Sequence, residues 1–100
     1  VGVEPQAVAP GLRALGPNPF REATEVQFVL ASPSAVSLTI HDVLGREVRA
    51  IAKGLWLDGG PQSLRWDGRR GDGGRAAAGV YFVRLAAGGE TWVRPVVRIQ

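Results

Sequence analysis

Thr24-Glu25-Val26-Gln27-Phe28-Val29-Leu30 (TEVQFVL) is the stretch on which the fold turns. Val26, Phe28 and Leu30 occupy alternate positions, with Glu25 and Gln27 between them. In an extended strand successive side chains point to opposite faces, so this period of two makes one face apolar and leaves the other wet. Val36-Ser37-Leu38-Thr39-Ile40 repeats the pattern, with Val36, Leu38 and Ile40 inward and Ser37, Thr39 and His41 outward. Ser32-Pro33-Ser34 lies between the two runs and reads as a turn. The spacing predicts that the two strands pair as a hairpin.

Working outward toward the C-terminus, Asp42-Val43-Leu44-Gly45-Arg46 is a further turn, in which Gly45 supplies a positive φ. Glu47–Ala52 continues as a weaker strand; a helix is the alternative, which Gly45 and Gly54 would confine to fewer than about three turns. Asp58-Gly59-Gly60-Pro61 breaks the chain, and Gln62–Trp66 forms a short strand with Leu64 and Trp66 on one side. Asp67–Ala78 is a long Gly-rich loop. Gly79–Ala86 alternates clearly, with Tyr81, Val83 and Leu85 against Phe82 and Arg84. Gly88-Gly89 predicts a two-residue hairpin turn. The last run, Glu90–Ile99, is expected to bury Val93, Val97 and Ile99 and to expose Trp92, Arg94 and Arg98. Pro95 cannot donate to a ladder, which places this strand at an edge.

Toward the N-terminus, Pro17-Asn18-Pro19 forces an extended, kinked path, and Phe20 after it can plug one end of a core. Leu12 and Leu15 can pack beside it. Residues 1–11 read as a linker or a loosely held first strand, and residues 12–100 as the domain. About seven short strands at regular spacing in a chain this long predict an all-β, immunoglobulin-like sandwich of antiparallel strands.

Composition narrows the function classes. The chain has 100 residues, 45% of them hydrophobic, with 14 Gly and 7 Pro. That fits one small domain whose core comes from a few well-patterned segments. The formal net charge is +3, but the Arg residues are spread along the chain with Glu and Asp between them. Nucleic acid is therefore not an expected partner. There is no Cys, so disulfides and thiol chemistry are excluded. No apolar stretch approaches the roughly 20 residues of a membrane helix. The chain opens at Val1 without a start codon or signal peptide, and we expect it to be the C-terminal part of a longer secreted protein.

The inventory for chemistry is thin, and no catalytic residue or cofactor is expected. His41 is the single imidazole, on the outward side of a strand, and neither Ser37 nor Ser63 sits in a nucleophile elbow. Zinc lacks ligands. Asp67 and Asp72 are weak calcium candidates among glycines; Arg69 and Arg70 disfavour a dication, and both acids can bond their own turns instead. Arg70-Gly71-Asp72 is a short tripeptide expected by chance in so Gly- and Arg-rich a loop. Trp56 and Trp92 are candidate carbohydrate contacts, since exposed indoles stack on sugars, whereas Trp66 alternates into the core.

The order of the motifs carries more. Pro17-Asn18-Pro19-Phe20 is followed by His41-Asp42-Val43-Leu44-Gly45-Arg46-Glu47-Val48. Leu64-Arg65-Trp66-Asp67-Gly68 comes next, then Ala78-Gly79-Val80-Tyr81-Phe82-Val83-Arg84-Leu85 and a basic final strand. From about Leu15 onward the set resembles the FlgD-type Ig-like domain and the related C-terminal sorting domain of the type IX secretion system. The resemblance implies a seven-stranded sandwich at the end of a secreted protein. It also implies recognition by outer-membrane secretion machinery, an upstream cargo domain, and a secreted or cell-surface location. On this reading Asn18, Pro19, Asp42, Gly45, Arg46, Gly79, Tyr81, Arg94 and Arg98 form the secretion and recognition motif. Asn18 would cap a turn between prolines, Asp42 would bond the backbone leading to Gly45, and Tyr81 would anchor the core by its polar tip. Sorting domains commonly end in a Lys-bearing strand; here Arg94 and Arg98 stand in that place. The alternatives are a structural or accessory Ig-like module, an assembly subunit, and a carbohydrate-binding module.

Overall fold

The computed structural model describes residues 9–100 and folds them into seven strands. These are β1 (Gly11–Gly16), β2 (Thr24–Leu30), β3 (Ser34–His41), β4 (Glu47–Leu57), β5 (Gly60–Trp66), β6 (Gly79–Ala87) and β7 (Glu90–Arg98). One sheet has the order β1-β2-β5 and the other β4-β3-β6-β7, and every ladder is antiparallel. The two sheets face each other as an Ig-like sandwich, as the strand count predicts. Most of the 1–11 segment read as a linker or first strand lies outside the described residues; Gly11 itself opens β1.

The predicted β2–β3 hairpin does not form, because the two strands belong to different sheets. β2 pairs with β1 and β5, while β3 pairs with β4 and β6. Ala31-Ser32-Pro33 carries the chain over the rim of the sandwich, and Ser34 Oγ donates to Ser32 O at 2.8 Å. Alternation states that each strand has one buried face; it is silent about which strand lies alongside.

β4 runs past the predicted stop at Ala52 as far as Leu57. Gly54 takes φ +66° and is absorbed where the β3–β4 register shifts, with its N–H donating to Ser37 Oγ at 3.1 Å. A glycine in this conformation makes a bulge rather than an end. β6 and β7 form the predicted hairpin through Gly88-Gly89.

The phase of β7 is inverted relative to the expectation. Residues paired across an antiparallel ladder share a face. Tyr81 pairs with Val96, Val83 with Arg94 and Leu85 with Trp92, so the even-numbered residues of β7 follow the buried face of β6. Val96 and Arg98 are buried and Trp92 is half-buried against the core; Val93 and Ile99 are exposed. The aliphatic count along β7 favoured the wrong face, and the register with β6 overrules it.

Between the sheets Val26, Phe28 and Leu30 meet Val36, Leu38, Ile40, Val83, Leu85 and Val96. Trp66 is fully buried near one end. Its ring lies edge-on to both Phe20 and Tyr81, each at a 5.3 Å centroid distance, and each such pair contributes about 1 kcal/mol beyond buried area. Trp66 Nε1 donates to Arg69 O at 2.9 Å, so the indole's one polar atom is satisfied. Thr39 points outward as predicted, on the face of Arg84, yet is buried in mid-sheet with its hydroxyl bonded to His41 Nε2 at 2.9 Å.

Candidate functional site

The motif residues fall into three groups, and most spend their polar atoms inside the domain. The first is the turn after β3. Asp42 Oδ1 accepts from the N–H of Leu44 (2.9 Å) and of Arg46 (3.0 Å), and Oδ2 accepts from Arg46 Nε at 2.8 Å. Gly45, at φ +81°, closes the turn by donating its N–H to Asp42 O at 3.0 Å. Desolvation pushes the Asp42 carboxyl up, but the hydrogen bonds from Arg46 and Leu44 and the Arg46 charge together hold it below its ordinary value. His41 closes the base of the turn: Nδ1 lies 3.3 Å from Gly45 O, which can only accept, and Nε2 lies 2.9 Å from Thr39 Oγ1.

The second group is a clamp on β7. Asn18 does not cap a local turn; it reaches across to the last strand. Its Nδ2 donates to Pro95 O at 3.3 Å and its Oδ1 accepts from Val97 N–H at 3.0 Å. Phe20 then takes over as a short parallel bridge, with its N–H to Val97 O (2.9 Å) and Ile99 N–H to its own oxygen (2.8 Å). β7 is an edge strand, and an open edge invites pairing with another chain. Pro19 sits inside the clamp, and Pro95 removes one donor from the edge it covers.

The third group surrounds the Gly-rich loop. Arg98 was expected at the surface but is 7% exposed. Its guanidinium donates to Ala76 O at 2.8 Å, and its Nε packs against Gly68 with no hydrogen-bond partner. Tyr81 is buried, and its hydroxyl donates to Ala77 O, as its polar tip predicts. Gly79 opens β6 opposite Arg98. Arg94 is exposed, and its guanidinium reaches Leu12 O at 3.4 Å.

The calcium candidates are engaged by cations and turns. Asp67 Oδ1 accepts from Arg49 (2.9 Å) and from Arg69 N–H (3.0 Å). Asp72 Oδ1 accepts from Gly74 N–H (2.8 Å) and Arg70 Nε (3.3 Å). Desolvation raises the Asp67 carboxyl, and the Arg69 N–H together with the Arg49 charge outweighs it, so the group lies below its ordinary value. Asp72 is lowered chiefly by the Gly74 N–H and then by Arg70. No group of three or more His, Cys, Asp or Glu converges among the described residues.

The two tryptophans are separated in kind. Trp56 is 66% exposed on β4. Trp92 is half-buried and lies against Gly11, so its face is used inside the domain. A feature the alternation misplaced is a shallow recess lined by His41, Val43, Phe82, Arg84 and Val93, on the outer face of the four-stranded sheet. The outward phase of Val93, visible only from the β7 register, is what completes it.

Comparison with solved structures matches this geometry. Dimeric latent PorU from Porphyromonas gingivalis superposes with a TM-score of 0.72 at 22% identity, over 97% of this chain and 10% of that one. PorZ, an essential bacterial surface component of the type-IX secretion system of the same organism, superposes with a TM-score of 0.64 at 22% identity, over 90% of this chain and 12% of that one. The chain thus spans about a tenth of the length of those proteins, and at such identity the likeness is one of fold. No curated protein sequence matches it. The family model of the FlgD Ig-like domain matches residues 18–90, from the Asn18 clamp through β6 to the first residue of β7. On that match, which covers well over half of its length, the chain belongs to the FlgD Ig-like domain family.

Proposed function

We propose that this domain is a non-catalytic, C-terminal module of a secreted protein, and that it serves as export signal and cell-surface anchor in the manner of a type IX sorting domain. The observation that carries the reading is the shared sandwich in PorZ, itself a surface component of that secretion system. The partners are then outer-membrane secretion machinery, cell-surface components and a cargo domain upstream in the same polypeptide. Asn18, Asp42, Gly45, Arg46, Tyr81 and Arg98 act by holding the exterior in shape, since their bonds close turns, clamp β7 or fix the loop.

The test is a reporter fused ahead of residues 1–100 in Porphyromonas gingivalis. Surface display of the reporter is expected with the intact domain, and retention inside the cell when β7 is deleted. Retention of the intact fusion would reject the reading. The second reading is an accessory module that spaces or packs larger domains. It is favoured by the matched domain being only about a tenth of each larger chain.

A further inference from the structure

The two outer faces of the sandwich differ in kind. On the three-stranded sheet, Glu25 pairs with Arg65 and Gln27 with Ser63 across the β2–β5 ladder, and Ser63 Oγ donates to Glu25 at 2.6 Å. Those two pairs are polar, as on a solvated face, and Val29 opposite Pro61 is the apolar pair beside them. On the four-stranded sheet, the outward pairs of β6 and β7 are Val80 with Val97, Phe82 with Pro95, and Arg84 with Val93. Val80 is 42% exposed and Val93 54%. Val43, 68% exposed at the tip of the Asp42 turn, lines the recess beside Phe82, Arg84 and Val93. Contiguous exposed apolar surface marks a contact site.

Arg84 stands exposed in the middle of this apolar surface. The ion pairs among the described residues are Arg46–Asp42, Arg49–Asp67, Lys53–Glu47 and Arg70–Asp72, and none involves Arg84. Asp42, the acid that lines the recess, already accepts three hydrogen bonds in its own turn. Among the described residues Arg84 thus has no ion pair, and it stands beside Val43, Phe82 and Val93 with His41 and Asp42 in the same recess. Face-to-face pairing with a second copy would set two positively charged chains and two such arginines against each other.

We propose that the outer face of β6–β7 with Val43 is the surface by which the domain is gripped, and that its occupant is a protein of the export machinery presenting an apolar patch with a carboxylate opposite Arg84. This rests on the reading of the domain as an export signal and deepens it. The outer edge of β7 from Pro95 to Ile99 is closed by the Asn18–Phe20 clamp, so strand addition is blocked there and the face beside it is the surface left for contact.

The experiment uses the same reporter fusion in Porphyromonas gingivalis, with Arg84→Glu, Arg84→Lys and the double variant Val43→Gln/Val93→Gln. Folding of each purified chain is checked by its thermal midpoint. Arg84→Glu and the double variant are expected to lower surface display by about tenfold or more with the midpoint retained, while Arg84→Lys keeps most of it. Display unchanged in the folded Arg84→Glu and double variants would overturn the surface and leave the export reading standing. No display of the intact fusion would instead remove the export reading itself. Sedimentation of the 100-residue chain is expected to give a monomer; a dimer dispersed by the double variant would assign the face to a second copy and overturn the proposal.

Discussion

The Trp92 indole lies over Gly11 so closely that a Cβ on that glycine would stand 2.6 Å from Nε1 and 2.7 Å from Cε2. The contact joins β7, an edge of one sheet, to β1, an edge of the other, and so seals one side of the sandwich. Gly11 also takes φ +125°, which L side chains rarely adopt. Gly11→Ala is therefore expected to cost about 2–4 kcal/mol, from overpacking and backbone strain together, read by urea unfolding. A stability equal to that of the parent chain would show that Trp92 swings aside freely.

Asn18→Ala should cost about 1–2 kcal/mol, because it removes both bonds to the β7 edge and leaves the Val97 N–H without its acceptor. The sharper readout is amide hydrogen exchange. Val97 N–H should lose protection while amides of the central strand β3 keep theirs.

Arg98 is a buried cation with an unpartnered Nε, held by packing and one carbonyl. Arg98→Ala is expected to cost about 2–3 kcal/mol through lost packing of the side-chain stem. Arg98→Met should recover most of that loss, since an apolar replacement of similar length removes the cost of burying the charge. Chemical denaturation of the two variants decides it; a Met variant as weak as the Ala variant would show that the bond to Ala76 O holds Arg98 more than the packing of its stem does.

Asp42, Asp67 and Asp72 all sit below the ordinary value of 3.8. A carboxylate depressed in the folded state adds stability that is present above its unfolded value and is lost as pH falls through the folded one. Stability should thus decline as pH drops below 3.8, with no contribution from these groups to changes near neutrality. Thermal midpoints across an acid series check this, and the Asp42→Asn, Asp67→Asn and Asp72→Asn variants should each show a lower neutral plateau and a shallower acid limb.

Calcium should leave the domain unchanged. Asp67 and Asp72 are already occupied by Arg49, Arg70 and backbone N–H groups. Adding calcium or a chelator is expected to shift the thermal midpoint by less than about 1 °C, since a ligand stabilises only the state that binds it.

The candidate site was legible in part. Asp42 and Gly45 behave as the turn chemistry foretells, because an Asx turn is a local event within five residues. Asn18 and Arg98 were misplaced, because their partners Pro95, Val97 and Ala76 lie far along the chain. The outer face of β6–β7 escaped notice for the same reason: Val93 reads as core until its pairing with Arg84 is seen.

Sequence alone determined that β2, β3, β5 and β6 are strands with one apolar face, that the Asp42 and Gly88-Gly89 turns fall where they do, and that Trp66 and Phe20 are core. Those properties follow from side-chain periodicity and from backbone preferences of Gly and Pro, which act over a few residues. Tertiary structure decided that β2 and β3 part into different sheets, which face of β7 is buried, and that Arg98 is enclosed while Arg84 stands exposed. Each of those outcomes depends on which distant strand lies alongside, and a ladder's partner is chosen by the packing of the whole core rather than by the strand's own residues.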